Sequence, residues 1–296
     1  MLFRSGLGLI GGSIAAALKE AGWRVFGSDV VDGRSAEAVS RGLIDAEGVD
    51  PDAVVTFVAT PPKAALAEVR RALESTRGFV TDVGSVKAAI TSEVGDPRFV
   101  AGHPMAGSEL EGLDGADASL FRGAVWVLTP SPNTSDDAFS TVAAIVNDLG
   151  AEVVGLDAER HDSLVAVVSH VPHLTAATLM RLASQRAEEH AALLRLAAGG
   201  FRDMTRIASG HPSIWLDICD ENRDAIAGVL ESLIEGLAEM RKVVVAGDRD
   251  GLRRRLTEAR EARSNLPSRV TRPDDLAEVR IPIPDRTGAA AEVFTL

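Results

Sequence analysis

The sequence predicts an α/β protein in two parts, a doubly wound, mostly parallel sheet followed by an all-helical domain. Three observations lead there. Up to about residue 156, short apolar runs alternate with helical patterns, the rhythm of strand–helix–strand units. Beyond Asp157 the periodicity is helical only. The length of 296 residues is enough for two medium domains that each bury a core. The expected boundaries are residues 1–156 for the sheet domain, 157–266 for the helical domain, and 267–296 for a linker and the opening of a further unit.

Taken in order, strands are expected at residues 23–27, 53–59, 78–82, 99–102, 125–129 and 152–156. One more should precede Gly6, but residues 1–5 are few and include Arg4 and Ser5, whereas a central parallel strand is apolar throughout. The expectation is a first strand that lacks residues at its start. In the second domain, residues 163–183 form a helical pattern that Pro172 should kink or break by removing a backbone donor. Ile226, Val229, Leu230, Leu233, Ile234, Leu237 and Met240 then recur at helical spacing. So long a stripe needs more apolar cover than the shorter helices of one subunit supply, which predicts a homodimer through the helical domain. Residues 265–274, with Pro267 and Pro273, read as a linker. A strand at residues 276–283, a turn at 285–288 and the start of a helix at 289–296 follow, too little to bury a core.

Composition narrows the function. The chain is 46% hydrophobic and 25% charged without an apolar run near the roughly 20 residues of a membrane helix, so no membrane partner is expected. A net charge of −12 lacks the basic footprint of a nucleic-acid binder, and Arg253, Arg254 and Arg255 read as a solvated helix face. The lone Cys219 forms no intramolecular disulfide and no secretory signal opens the chain, which predicts a cytoplasmic protein with an inert thiol.

The first chemical signal is Gly6-Leu7-Gly8-Leu9-Ile10-Gly11, a GxGxxG run opening a helix. Its glycines allow a tight turn and let backbone amides approach a pyrophosphate at the helix N-terminus. The strand at residues 23–27 leads to Asp29, about 20 residues on, where an acid accepts from the adenosine ribose 2′-hydroxyl. This context makes a dinucleotide-binding, Rossmann-type domain the reading, and Asp29 favours NAD over NADP by repelling a 2′-phosphate, with Arg34 as the one contrary residue. Thr60 and Pro61, just past the strand at residues 53–59, are assigned to the same cofactor.

Four further segments carry polar chemistry. Asp82-Val83-Gly84-Ser85-Val86-Lys87 lies at the carboxyl end of a strand, where ligands of open α/β sheets sit. Ser85 fits equally an N-cap of the next helix or a functional hydroxyl. Gly102-His103-Pro104-Met105-Ala106-Gly107-Ser108-Glu109 follows another strand and places His103 to exchange a proton with a substrate, although a loop histidine is more often simply exposed. Ser169-His170-Val171-Pro172-His173 has two histidines three apart, but no Cys or acidic pair nearby completes a metal site, so no metal is expected. In Gly199-Gly200-Phe201-Arg202-Asp203-Met204-Thr205-Arg206 two glycines are read as ending a helix. Arg206 can clamp a carboxylate as a bidentate fork, or merely pair with Asp203 at the surface.

Together, in this order, the five segments resemble the prephenate and arogenate dehydrogenase family, from the glycine run to Trp215. The resemblance implies an NAD-binding Rossmann domain, a helical dimerisation domain and an active site between them. It implies His103 as catalytic base, Ser85 as the hydroxyl-orienting serine and Arg206 as the carboxylate clamp with Asp203 beside it. His173 then faces the substrate, with Glu109 and Ser108 at the mouth of the site. Residues 279–296 are similar to the first strand and helix of an ACT-type regulatory domain.

The implied reaction is oxidative decarboxylation of prephenate to 4-hydroxyphenylpyruvate, driven by aromatisation. Activity is expected to fall below pH ~6.5, where an imidazole of ordinary pKa is protonated. Arogenate is the alternative substrate. A β-hydroxyacid dehydrogenase or imine reductase shares the domain plan but usually places a lysine or aspartate from the helical domain at the chemistry. A redox-sensing module that binds NAD(H) without turnover is the non-enzymatic alternative.

Overall fold

The structure is a computed structural model and describes residues 2–108, 110–189 and 192–266. The linker, strand and ACT-like tail expected from residue 267 onward lie outside the described residues. In chain order the sheet domain contains β1 (Leu2–Ser5), α1 (Leu9–Glu20), β2 (Phe26–Gly27), α2 (Arg34–Ser40), β3 (Ala46–Glu47) and β4 (Val55–Val58). It continues with α3 (Pro62–Ser75), β5 (Phe79–Asp82), α4 (Ala88–Glu93), β6 (Ala101–Pro104), β7 (Val125–Thr129), α5 (Asp136–Asp148) and β8 (Glu152–Gly155). β3 was not expected: its two residues carry no apolar alternation, and only pairing with β2 makes them a strand.

β1, β4 and β5 run parallel in the order β1-β4-β5. β2 continues this sheet beyond β1, tied by the Gly6 N–H to the Ser28 carbonyl at 2.9 Å, and β6 continues it beyond β5 through a parallel bridge between Val80 and Phe99. From β1 the chain builds outward on one side, and from β4 on the other. A crevice therefore opens at the carboxyl ends of β1 and β4, the place where such sheets bind nucleotides. At the far edge β6 runs antiparallel to β7, with β8 parallel to β7. All four residues of β4 are buried, as a strand covered on both faces requires. Fully buried Leu7, Ile14, Leu18, Phe57 and Trp126 belong to the larger of this domain's two cores.

The second domain contains α6 (Ala158–Val165), a π-helical segment at Ala166–His170, α7 (Val171–Glu189), α8 (Gly199–Thr205), α9 (Pro212–Glu221), α10 (Arg223–Val245) and α11 (Arg249–Ser264). Pro172 does not end the helix. The wide turn immediately before it leaves the helix continuous over Ala158–Ala187, since a π-bulge tolerates a missing donor. That helix is long and apolar enough, by length and composition, to cross a membrane, contrary to the expectation that no stretch approaches this. Its buried His161, Asp162, His170 and His173 mark it as a core helix of the domain. Gly199 and Gly200 open α8 rather than end the preceding helix.

Of the apolar stripe on α10, Ile226 is buried and Val229, Leu230 and Leu233 pack with it against Val86, Ala166, Val171 and Ile218. Ile234 and Leu237 remain 64% and 59% exposed, so the stripe outruns the cover one subunit provides. Arg253 and Arg254 on α11 face solvent, and Arg253 pairs with Asp250.

Candidate active site

The glycine loop joins β1 to α1 at the switch point. Gly6 has φ +90°, and a Cβ there would lie 2.3 Å from the Ala59 carbonyl oxygen, so only glycine permits this turn. A Cβ on Gly8 would meet nothing within 4 Å, leaving the first turn of α1 open to a ligand. That turn, with Leu9, Ile10 and Gly11, has no side-chain cap and no acidic residue. Unsatisfied amides and a positive helix end suit a pyrophosphate. Asp29, two residues past β2, accepts from the Leu7 N–H at 2.6 Å and the Val31 N–H at 2.8 Å, and Arg34 lies 3.5 Å away. The carboxylate is thus fixed at the crevice, and the Arg34 guanidinium is paired with it. Thr60, past β4, has a buried hydroxyl without a partner among the described residues, and Pro61 caps α3. These residues fit a dinucleotide.

His103 lies on β6 itself, one register step from where the sequence placed it, and is 9% exposed. Its Nδ1 is 2.9 Å from His161 Nε2, and His161 Nδ1 is 2.8 Å from Asp162 Oδ1. The direction of these bonds follows from Asp162. Its carboxylate also accepts the backbone N–H groups of Lys87 and Ala88, each at 2.8 Å, so it acts only as an acceptor. His161 must donate from Nδ1, its Nε2 must accept, and His103 donates from Nδ1. The lone pair of His103 Nε2 is then free to take a proton. Burial first, then the neighbouring His161, Lys87 and His170, hold the His103 imidazole well below the usual histidine range.

Asp162 also corrects the reading of Ser85 as a helix cap. α4 begins at Ala88, and its first amides bond to Asp162 from the other domain. The Ser85 hydroxyl is buried and has no partner among the described residues. Two residues further on, fully buried Lys87 pairs with Asp82 and donates to the Gly102 carbonyl at 2.9 Å. Asp82 in turn accepts the Gly102 N–H at 3.2 Å, so this pair pins the backbone that carries His103.

On the helical side, buried His173 stacks on Trp215 with ring centroids 3.5 Å apart and planes 13° from parallel. Gly210, just past the turn at Arg206–Ser209, lies against both rings. Arg206 and Asp203 are exposed, Arg206 at the junction of α8 with that turn. Ser108 is exposed and accepts from the Leu110 N–H at 3.2 Å; Glu109 lies outside the described residues. Among the described residues no group of three His, Cys, Asp or Glu is arranged to hold a metal ion.

Reading along the chain missed His161, Asp162 and Asn222. His161 and Asp162 left one trace, an adjacent His-Asp pair at the head of an apolar helix. Asn222, between α9 and α10, left none; its amide donates to the Asp162 carbonyl at 2.8 Å.

Comparison with known proteins agrees with this architecture. The family described as "Prephenate dehydrogenase, nucleotide-binding domain" matches residues 14–155, and "Prephenate dehydrogenase, dimerization domain" matches residues 157–258. A prephenate dehydrogenase of Bacillus subtilis is 33% identical over 99% of this chain and 83% of its own length. Among solved structures, the Aquifex aeolicus prephenate dehydrogenase in complex with hydroxyphenyl propionate and NAD+ has a TM-score of 0.84 at 27% identity, covering 90% of this chain and 98% of that one. The Synechocystis arogenate dehydrogenase has a TM-score of 0.76 at 28% identity, covering 89% and 98%. With both family domains matched end to end over most of its length, this chain belongs to the prephenate dehydrogenase family.

Proposed function

We propose that this chain is a cytoplasmic, NAD-dependent prephenate dehydrogenase, converting prephenate to 4-hydroxyphenylpyruvate and CO2. The observation that carries the reading is the ordered chain Asp162–His161–His103, which leaves an unprotonated Nε2 near the carboxyl end of β6. Bound nicotinamide supplies the hydride acceptor. His103 accepts the ring hydroxyl proton at Nε2, worth about 10² to 10⁴ in rate. His161 relays the orientation, and Asp162 stabilises the positive charge that the imidazoles acquire. The Ser85 hydroxyl, without a partner among the described residues, would orient the substrate hydroxyl, and the Arg206 guanidinium would hold the ring carboxylate until it leaves as CO2. His173, stacked on Trp215, forms an aromatic wall on the substrate side, with Asp203, Ser108 and Glu109 at its periphery.

Gly6, Gly8, Leu9, Ile10, Gly11, Asp29, Thr60 and Pro61 form the proposed NAD site, and Asp29 sets the preference over NADP. Exposed Ile234 and Leu237 on α10 support a homodimer through the helical domain. The test is NADH absorbance on adding prephenate, arogenate or a simple hydroxyacid in turn. Turnover of prephenate is expected. Turnover of arogenate alone would transfer the reading to that substrate, and NAD binding without any turnover would leave a sensing module.

A further inference from the structure

The hydrogen-bonded chain that ends at His103 has a second end. Asn222 donates one amide N–H to the Asp162 carbonyl at 2.8 Å, and a carbonyl only accepts, so the side-chain nitrogen of Asn222 is the atom at that position. The same nitrogen lies 3.1 Å from His170 Nδ1. His170 must therefore accept at Nδ1, and the ring proton resides on Nε2. His170 is 1% exposed, and Nε2 has no hydrogen-bond partner among the described residues. A buried donor left unmade is costly, and a ligand acceptor at this point would satisfy it. His170 meets Trp215 edge to face at 6.2 Å, and Trp215 stacks on His173, so the ring stands beside the aromatic pair proposed as the wall of the substrate site.

We propose that His170 is a substrate-binding residue whose Nε2–H donates to a carboxylate oxygen of the substrate, at the end opposite the hydroxyl served by His103. Its ring remains neutral, because burial holds its pKa down to about 4. It therefore supplies direction without charge, and Asn222 acts through it as a positioning residue. The inference rests on the proposed dehydrogenase reading.

The test compares His170→Gln, which returns an amide near the Nε2 position, with His170→Asn, which does not reach it. The probes are 3-(4-hydroxyphenyl)propionate and 4-ethylphenol, which lacks the carboxylate, used as inhibitors in the presence of NAD. A hydrogen bond to a charged group is worth roughly tenfold or more in affinity. His170→Asn should weaken the propionate about tenfold and 4-ethylphenol less than about twofold, and His170→Gln should recover about fivefold of the loss. Histidine ¹⁵N spectra should show His170 protonated at Nε2, with that signal shifting on adding the propionate. Equal losses for both probes, or a proton on Nδ1, would overturn the inference and leave His170 a packing residue. A wild-type enzyme that turns over neither prephenate nor arogenate would overturn the dehydrogenase reading, and this inference with it; normal turnover with unchanged variants overturns this inference alone.

Discussion

Asp162→Asn isolates the contribution of the carboxylate that joins the two domains. Oδ1 accepts from His161 Nδ1 and the Lys87 N–H, and Oδ2 from the Ala88 N–H, all at 2.8 Å. An amide can be placed in two ways. With its oxygen toward His161, its NH2 opposes the Ala88 N–H; reversed, it opposes the Lys87 N–H. Either way one backbone donor in the site is left unmade, at a cost of about 1–3 kcal/mol. The reversed form also donates to His161 Nδ1, which turns the chain around and puts a proton on His103 Nε2, where the substrate needs a base. The first form keeps the tautomer but removes the charge that stabilises the imidazoles. We expect kcat to fall by about 10² to 10⁴ and Tm by roughly 3–10 °C, with NAD affinity unchanged. The assay is steady-state NADH formation at saturating substrate, alongside calorimetry and NAD titration. A folded variant whose kcat lies within about threefold of wild type would show that the relay does not control His103.

Four further outcomes follow from the same geometry. The acid limb of kcat should lie below pH 6.5, because His103 is held neutral by burial and serves as a base down to its depressed pKa; a midpoint at or above 6.5 in a pH–rate profile would contradict the buried setting. Arg206→Lys and Arg206→Ala should raise KM at least about tenfold, measurable in initial rates; normal KM for both prephenate and arogenate would place the clamp elsewhere. Asp29→Ala should narrow the ratio of NAD to NADP efficiency, since a 2′-hydroxyl acceptor and a phosphate-repelling charge are lost together, and an unchanged ratio would assign the preference to another residue. Leu237→Glu should shift sedimentation from dimer to monomer at micromolar concentration by burying a charge in the interface; an unmoved dimer would place the contact off α10.

The sequence by itself determined the parts whose information is local. Strand–helix alternation, the glycine run with Asp29 about 20 residues on, and the helical periodicity after Asp157 are short-range patterns, and they specified the two-domain plan and the cofactor crevice. His103 and Ser85 also stood out as candidates, because they sit in distinctive segments at strand ends. Tertiary structure alone decided what those residues can do. Ser85 satisfied the spacing of a helix cap, but Asp162, 74 residues further along the chain from Ala88, took that role and released the hydroxyl. The basicity of His103 depends on His161 and Asp162, brought from the second domain, and on the burial that their packing creates. Pro172 shows the same division: local chemistry demanded an interruption, and whether the helix broke or widened into a π-turn depended on the contacts holding both halves in line. A hydrogen-bond direction is set by which partners are donors and which are acceptors, and those partners become neighbours only when distant segments pack.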